Sequence, residues 1–127
     1  MWIHAACVHE STTSRSVYYN GSIGAIDTNL VAITGLNRLN IGARYNTTLG
    51  AYFNGSIAEA GVWNAALTAD EIASLSKGFP CRLVRPSALV FYSRLIRNVM
   101  DIRNGVALSE LGTGTTDSRH PRIIYPC

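Results

Sequence analysis

The sequence predicts an all-β protein, an antiparallel β-sandwich with one short helix near residues 69–76, and three observations carry that expectation. Short runs of alternating or β-rich residues are punctuated by Asn-Gly pairs at Asn20-Gly21 and Asn54-Gly55, and Asn-Gly between such runs signals a tight hairpin turn. Helix start and stop signals come together in one stretch, Thr68 to Gly78. With no helical crossover between the strands a parallel sheet cannot be wound, and the turn spacing suits a sandwich or barrel.

In chain order, Trp2 to His9 alternates, with Trp2, His4, Ala6 and Val8 on one face and Ile3, Ala5, Cys7 and His9 on the other. The β-rich run Ser16 to Tyr19 precedes the Asn20-Gly21 turn, and Leu39 to Gly42 reads as a third short strand. Asn54-Gly55 then signals a type I′ turn into a strand from Ser56 to Trp63.

The helix follows from local chemistry. Thr68 and Glu71 have capping-box spacing, so the hydroxyl accepts from the Glu71 N–H while the carboxylate reaches back to the Thr68 N–H. Leu67 and Ile72 stand where a hydrophobic staple closes. Asp70 and Glu71 favour the positive end of the helix dipole, and Lys77 and Gly78 place a cation in the last turn and a residue that tolerates left-handed backbone after it. The predicted helix, Ala69 to Ser76, has apolar Ile72, Ala73 and Leu75 on one face only, so it packs on something larger.

Together, Trp2-Ile3-His4-Ala5-Ala6, Val17-Tyr18-Tyr19-Asn20-Gly21, Leu39-Asn40-Ile41-Gly42, Phe53-Asn54-Gly55-Ser56-Ile57-Ala58-Glu59 and the run Trp63 to Ile72 resemble the ordered signatures of the laminin-G-like jelly roll in the concanavalin A-like lectin/glucanase superfamily. The resemblance covers roughly residues 2 to 78 and matches the later part of that domain, so strands expected before the Trp-x-His strand have no counterpart here. Open sheet edges with apolar faces invite pairing, and two sources of cover stand side by side. One is the C-terminal segment, where Leu83 to Leu95 contains the apolar run Ala88 to Tyr92, and Asp101, Asn104-Gly105 and Val106 to Leu108 suggest a hairpin. The other is a neighbouring subunit donating strands. The expected organisation is a jelly-roll core over residues 1–79 and a C-terminal extension over 80–127, marked by Pro80 and Pro86.

Charge divides along the same line. Residues 82–127 carry seven Arg against three acids, a net of +4, and residues 1–81 carry four basic residues against five acids, a net of −1, which together give the +3 of the whole chain. The arginines are scattered and, apart from Phe91-Tyr92, lack interleaved stacking aromatics, which argues against a nucleic-acid partner. Arg82, Arg85, Arg94, Arg97 and Arg122, with the extended apolar run Ile123, Ile124 and Tyr125, are the expected interface residues.

No secretory signal is expected, since a strand-like segment follows Met1 at once, and no apolar run approaches a membrane span. Cys7, Cys81 and Cys127 are odd in number and far apart, so no disulfide framework is expected, and Cys7 reads as a buried, inert thiol. Sequons stand at Asn20, Asn46 and Asn54, two of them within the Asn-Gly turns.

An enzyme is not expected. Glycoside hydrolysis requires two carboxylates flanking the scissile bond, and the Glu-x-Asp-x-x-Glu pattern of the glucanases in the resembled superfamily is absent. Asp70 and Glu71 belong to a helix start, Glu59 stands alone, and His4, His9 and His120 form no recognisable metal or nucleophile set. His4 matches the family's strand histidine and reads as structural. No cofactor is expected. The resemblance implies calcium as the one candidate ion, with Asp27, Asn29 and Asn46 in loops as its ligands, against which these are also ordinary turn formers.

Two roles remain. A jelly roll followed by VRPSALVFYSRLI and HPRIIYP resembles structural proteins of tailed phages, which implies a virion-surface assembly module, decorating a capsid or building a tail, that acts through homo-oligomer or capsid and tail contacts. The alternative is an extracellular lectin-like module in which Tyr18, Tyr45 or Tyr52 stacks on a glycan.

Overall fold

The computed structural model describes residues 1–95, 99–110 and 121–123. Nine strands and one α-helix occur among them. Strands β1 (Ala5–Ser11), β2 (Ser14–Tyr19) and β3 (Ser22–Asp27) form an antiparallel meander in the order β1-β2-β3. Asn20 and Gly21 link β2 to β3 with φ of 48° and 83°, the two left-handed residues of a type I′ turn. The Asn20 side-chain oxygen accepts from the His4 N–H at 3.0 Å and its own N–H donates to the His4 carbonyl at 2.8 Å, tying the turn to the approach of β1.

The alternation of β1 is realised. Val8 is buried and Trp2, His4 and Ala6 are half-buried, whereas Ile3, Ala5 and Cys7 are exposed. Cys7 is therefore not the buried thiol; its side chain falls on the uncovered face of the sheet. The burial expected of Cys7 belongs to Cys81, which is 5% exposed and lies in a 3-10 turn over Cys81–Leu83.

Two sequence expectations fail between β3 and the helix. Leu39 to Gly42 is not a strand: Gly42 has φ of 80°, and the local pairing lies further on, in a small hairpin of β4 (Arg44–Asn46) and β5 (Thr48–Gly50). Nor do Asn54 and Gly55 take the left-handed geometry of a type I′ turn. Glu59, at φ of 57°, interrupts the extended run, and β6 is only Ala60–Trp63.

Helix α1 spans Ala69–Ser76 as the caps predict. Thr68 accepts from the Glu71 N–H at 3.3 Å, and Glu71 accepts from the Thr68 N–H at 2.7 Å. Lys77 is the C-terminal cap rather than a last-turn cation, and Gly78 follows at φ of 96°. Leu67 and Ile72 share one buried cluster with Val8 and Val84, against which Ala6, Tyr18, Trp63 and Leu75 pack. The helix thus covers the inner face of the meander, burying apolar area at about 25 cal/mol per Å².

The C-terminal segment supplies the partner of β6. Strand β7 (Leu89–Ser93) pairs with it antiparallel, and Leu89 and Tyr92 form a second buried cluster with Cys81. Trp63 and Leu75 touch both clusters, and the Trp63 indole donates to the Val84 carbonyl at 2.8 Å. The predicted C-terminal hairpin also forms, as β8 (Met100–Asp101) and β9 (Val106–Ala107) with Gly105 at φ of 68°. Among the described residues the sheets are four separate pieces of two or three strands.

Candidate functional site

The outer edge of β7 is closed by side chains of the β8–β9 turn. Asp101 is 5% exposed, and its carboxylate accepts from the N–H groups of Tyr92 and Arg103, each at 3.0 Å, and from the Asn104 amide. Burial opposes the charge on Asp101, but the donors from Tyr92, Asn104 and Arg103 outweigh it and hold the carboxyl below its usual range. Asn104 donates onward to the Val90 carbonyl at 3.0 Å and Arg103 Nε to the Leu89 carbonyl at 3.1 Å.

Among the described residues nothing comparable closes β1, β3 or β6. These are end strands, each with one pairing partner among the described residues. Residues of β1 and β6 line the same open cleft, about 1590 Å³, whose walls include Ile33, Leu39, Ile41, Phe53, Ile57 and Phe91. All six residues of β3 are exposed, Ile23 and Ile26 among them, and beyond the strand apolar side chains continue into solvent at Leu30, Ile33 and Leu36, the last 80% exposed. This surface was missed in the sequence, where the unbroken apolar recurrence from Ile23 to Leu36 was the available signal.

A second feature missed in the sequence lies behind β6. The Tyr92 phenol donates to the Glu59 carboxylate, the Cys81 thiol contacts the Glu59 carbonyl at 3.7 Å, and the Glu59 N–H donates to the Arg94 carbonyl at 3.2 Å. Burial, with the Glu59 charge beside it, pushes the Cys81 thiol up to about 12. Burial and the hydrogen bond to Glu59 likewise raise the phenol of Tyr92. A thiol and a phenol held neutral are poor nucleophiles, so this constellation braces β6 against β7.

The predicted glycan residues do not share a face. Tyr18 is half-buried against the Val8 cluster. Tyr45 is exposed on β4 with the Arg38 guanidinium 3.9 Å above its ring centre, a cation–π contact. Tyr52 is 67% exposed in the segment after β5.

The predicted calcium ligands are engaged locally. Asp27 lies directly across from Arg15 in the β2–β3 pair and forms an ion pair with it. It also accepts from the N–H and side-chain amide of Asn29, at 2.9 and 2.7 Å. The Asn29 N–H, ahead of the Arg15 charge, holds the Asp27 carboxyl below its usual range. Asn46 stands apart on β4, and among the described residues no group of three or more His, Cys, Asp or Glu side chains converges.

The predicted interface residues divide. Arg82 is exposed on the 3-10 turn, and Arg122 is exposed beside the half-buried Ile123, which lines the cleft. Arg94 is half-buried after β7. Arg85 is turned inward: its Nε and Nη2 meet the two carboxylate oxygens of Glu71 at 2.9 and 2.8 Å, and Nη1 donates to the Ala66 carbonyl at 2.8 Å. Arg97, Ile124 and Tyr125, with His120 and Cys127, lie outside the described residues.

No curated protein and no solved structure matches the chain. The laminin-G family model of the Concanavalin A-like lectin/glucanases superfamily matches residues 1–73, more than half of the 127. That match covers the β1–β2–β3 meander and ends within the capped helix packed upon it, and the chain accordingly belongs to the concanavalin A-like lectin/glucanase superfamily.

Proposed function

We propose that the chain is a non-enzymatic assembly module, a virion-surface protein that decorates a capsid or builds a tail through contacts with its own copies and other subunits. One observation carries this reading: β1 and β6, each paired on one side only among the described residues, line one cleft, and a run of large apolar side chains from Ile23 to Leu36 stands in solvent. Contiguous exposed apolar surface of this kind marks an interaction site. The resemblance of the C-terminal sequence to tailed-phage structural proteins supports the virion setting. Neither a nucleic acid nor a membrane is proposed as a partner; no helix among the described residues is long and apolar enough to cross a membrane.

Light scattering on the eluting peak of a size-exclusion column tests this reading. A stable oligomer is expected, and a monodisperse monomer across the accessible concentration range overturns it. The second reading, an extracellular carbohydrate-binding module, draws on the exposure of Tyr45 and Tyr52. It requires retention on a glycan array, with or without calcium, that is lost on replacing Tyr52 by Ala.

A further inference from the structure

On the side of β7 facing the 3-10 turn, Arg82, Pro86, Leu89, Tyr92, Ile102 and Arg103 enclose a pocket of about 210 Å³. No acidic side chain is among these lining residues. Arg15 and Arg85 form ion pairs with Asp27 and Glu71, whereas neither Arg82 nor Arg103 at the pocket is in an ion pair among the described residues. The nearest carboxylate in sequence, Asp101, is occupied by three donors.

The two arginines are held differently. The Nε of Arg103 donates to the Leu89 carbonyl, which orients its guanidinium over the pocket while its terminal nitrogens remain beyond that bond. Arg82 stands exposed on the turn opposite. The walls between them are apolar: the side chains of Pro86, Leu89 and Ile102 and the ring of Tyr92, whose hydroxyl is committed to Glu59.

We infer that this pocket is a carboxylate-binding site that receives an Asp or Glu side chain of a neighbouring subunit. Size and chemistry both select that ligand. At roughly 30 Å³ per water the pocket holds the volume of about seven waters, below the several hundred Å³ of a typical small-molecule site. That is enough for a carboxylate and its short hydrocarbon stem. Guanidinium groups match the planar carboxylate in two-point hydrogen bonding, and the apolar walls suit the methylenes that carry it. The inference rests on the assembly reading for the source of the carboxylate, whereas the site itself can be measured on the isolated chain.

The test is a titration of the full chain, followed by amide NMR, with glutarate as the probe and with glutaramide and inorganic phosphate as controls. Glutarate is expected to give saturable, salt-sensitive shifts at Leu89, Ile102 and Arg103, with half-saturation in the millimolar range. Glutaramide is expected to give none and phosphate a response at least about fivefold weaker. Arg82→Gln, whose side chain is exposed, should weaken glutarate binding at least about fivefold, and Arg82→Gln with Arg103→Gln should abolish it. Equal shifts with glutaramide, phosphate binding as tight as glutarate, full binding by Arg82→Gln, or absence of saturable shifts from a monomeric sample each overturns the assignment. Light scattering on the wild-type and Arg82→Gln samples separates the two readings. A wild-type monomer that binds glutarate refutes assembly and with it the subunit as carboxylate source, whereas an oligomer whose mass changes with neither saturating glutarate nor Arg82→Gln refutes the pocket alone.

Discussion

Gly21 and His4 show how much of the fold rests on single residues at the meander's rim. Gly21 is required twice over. Its φ of 83° is left-handed, and a Cβ there would meet the Ser76 side chain and come within 3.2 Å of the Ala73 Cα. Gly21→Ala is expected to cost about 2–3 kcal/mol, from strained backbone and overpacking together. Adding Ser76→Ala should recover only the packing share, as chemical denaturation of the single and double variants will show. The turn was legible in the sequence, but the helix pressed against it was not. His4 lends the protein a pH dependence. Burial lowers its pKa from 6.5, so between the folded and unfolded values the unfolded chain binds the extra proton. Its contribution is fully present above about pH 6.5 and is lost as pH falls through that value toward the folded pKa. Thermal melts from pH 7.5 to 5 should show stability falling, with a shallower fall in His4→Gln.

At the scale of elements, α1 was legible residue by residue because capping is a local interaction. Thr68→Ala should destabilise the protein by about 1 kcal/mol, measured by urea denaturation. What the capping box did not reveal is that Glu71 serves two partners, the Thr68 N–H and the Arg85 guanidinium. Arg85 reaches the helix from beyond the 3-10 turn, at φ of 42°. A double-mutant cycle on Glu71→Gln and Arg85→Gln should return a coupling of about 1 kcal/mol, modest because both side chains are about a quarter to a third exposed. Strand β6 marks the limit of local reasoning. Asn54-Gly55 and the alternation after it favoured a hairpin into a strand of eight residues, Ser56 to Trp63. In the fold, the Phe53 N–H donates back to the Gly42 carbonyl, Glu59 turns left-handed, and Ala60–Trp63 pairs with Leu89–Ser93 instead. The buried Leu89 and Tyr92 that come with this distant partner outweigh a local turn preference.

For the whole molecule, the consequence is that residues 80–127 cannot be dispensed with. Val84 belongs to the first buried cluster, Cys81, Leu89 and Tyr92 form the second, and the Trp63 indole has its acceptor at Val84. A chain cut to residues 1–79 is expected to lose cooperative unfolding, and retention of a sharp thermal transition by circular dichroism would refute this. The same C-terminal segment closes the outer edge of β7 with Asp101, Arg103 and Asn104, whereas β1, β3 and β6 each have a single pairing partner among the described residues. Among these residues the fold therefore closes the edge of β7 and presents strand edges and apolar side chains elsewhere.

The sequence by itself determined the antiparallel class, the Asn20-Gly21 and Asn104-Gly105 turns, the inner face of β1 and the capped helix, because each follows from interactions between residues a few positions apart. Only the tertiary structure decided which strand β6 would take, where the buried thiol lies, and that Arg85 faces Glu71 while Arg82 and Arg103 share a pocket. Those outcomes depend on segments many residues apart meeting in space. Hydrophobic burial, which is strong but non-directional, selects them without leaving a mark at any one sequence position.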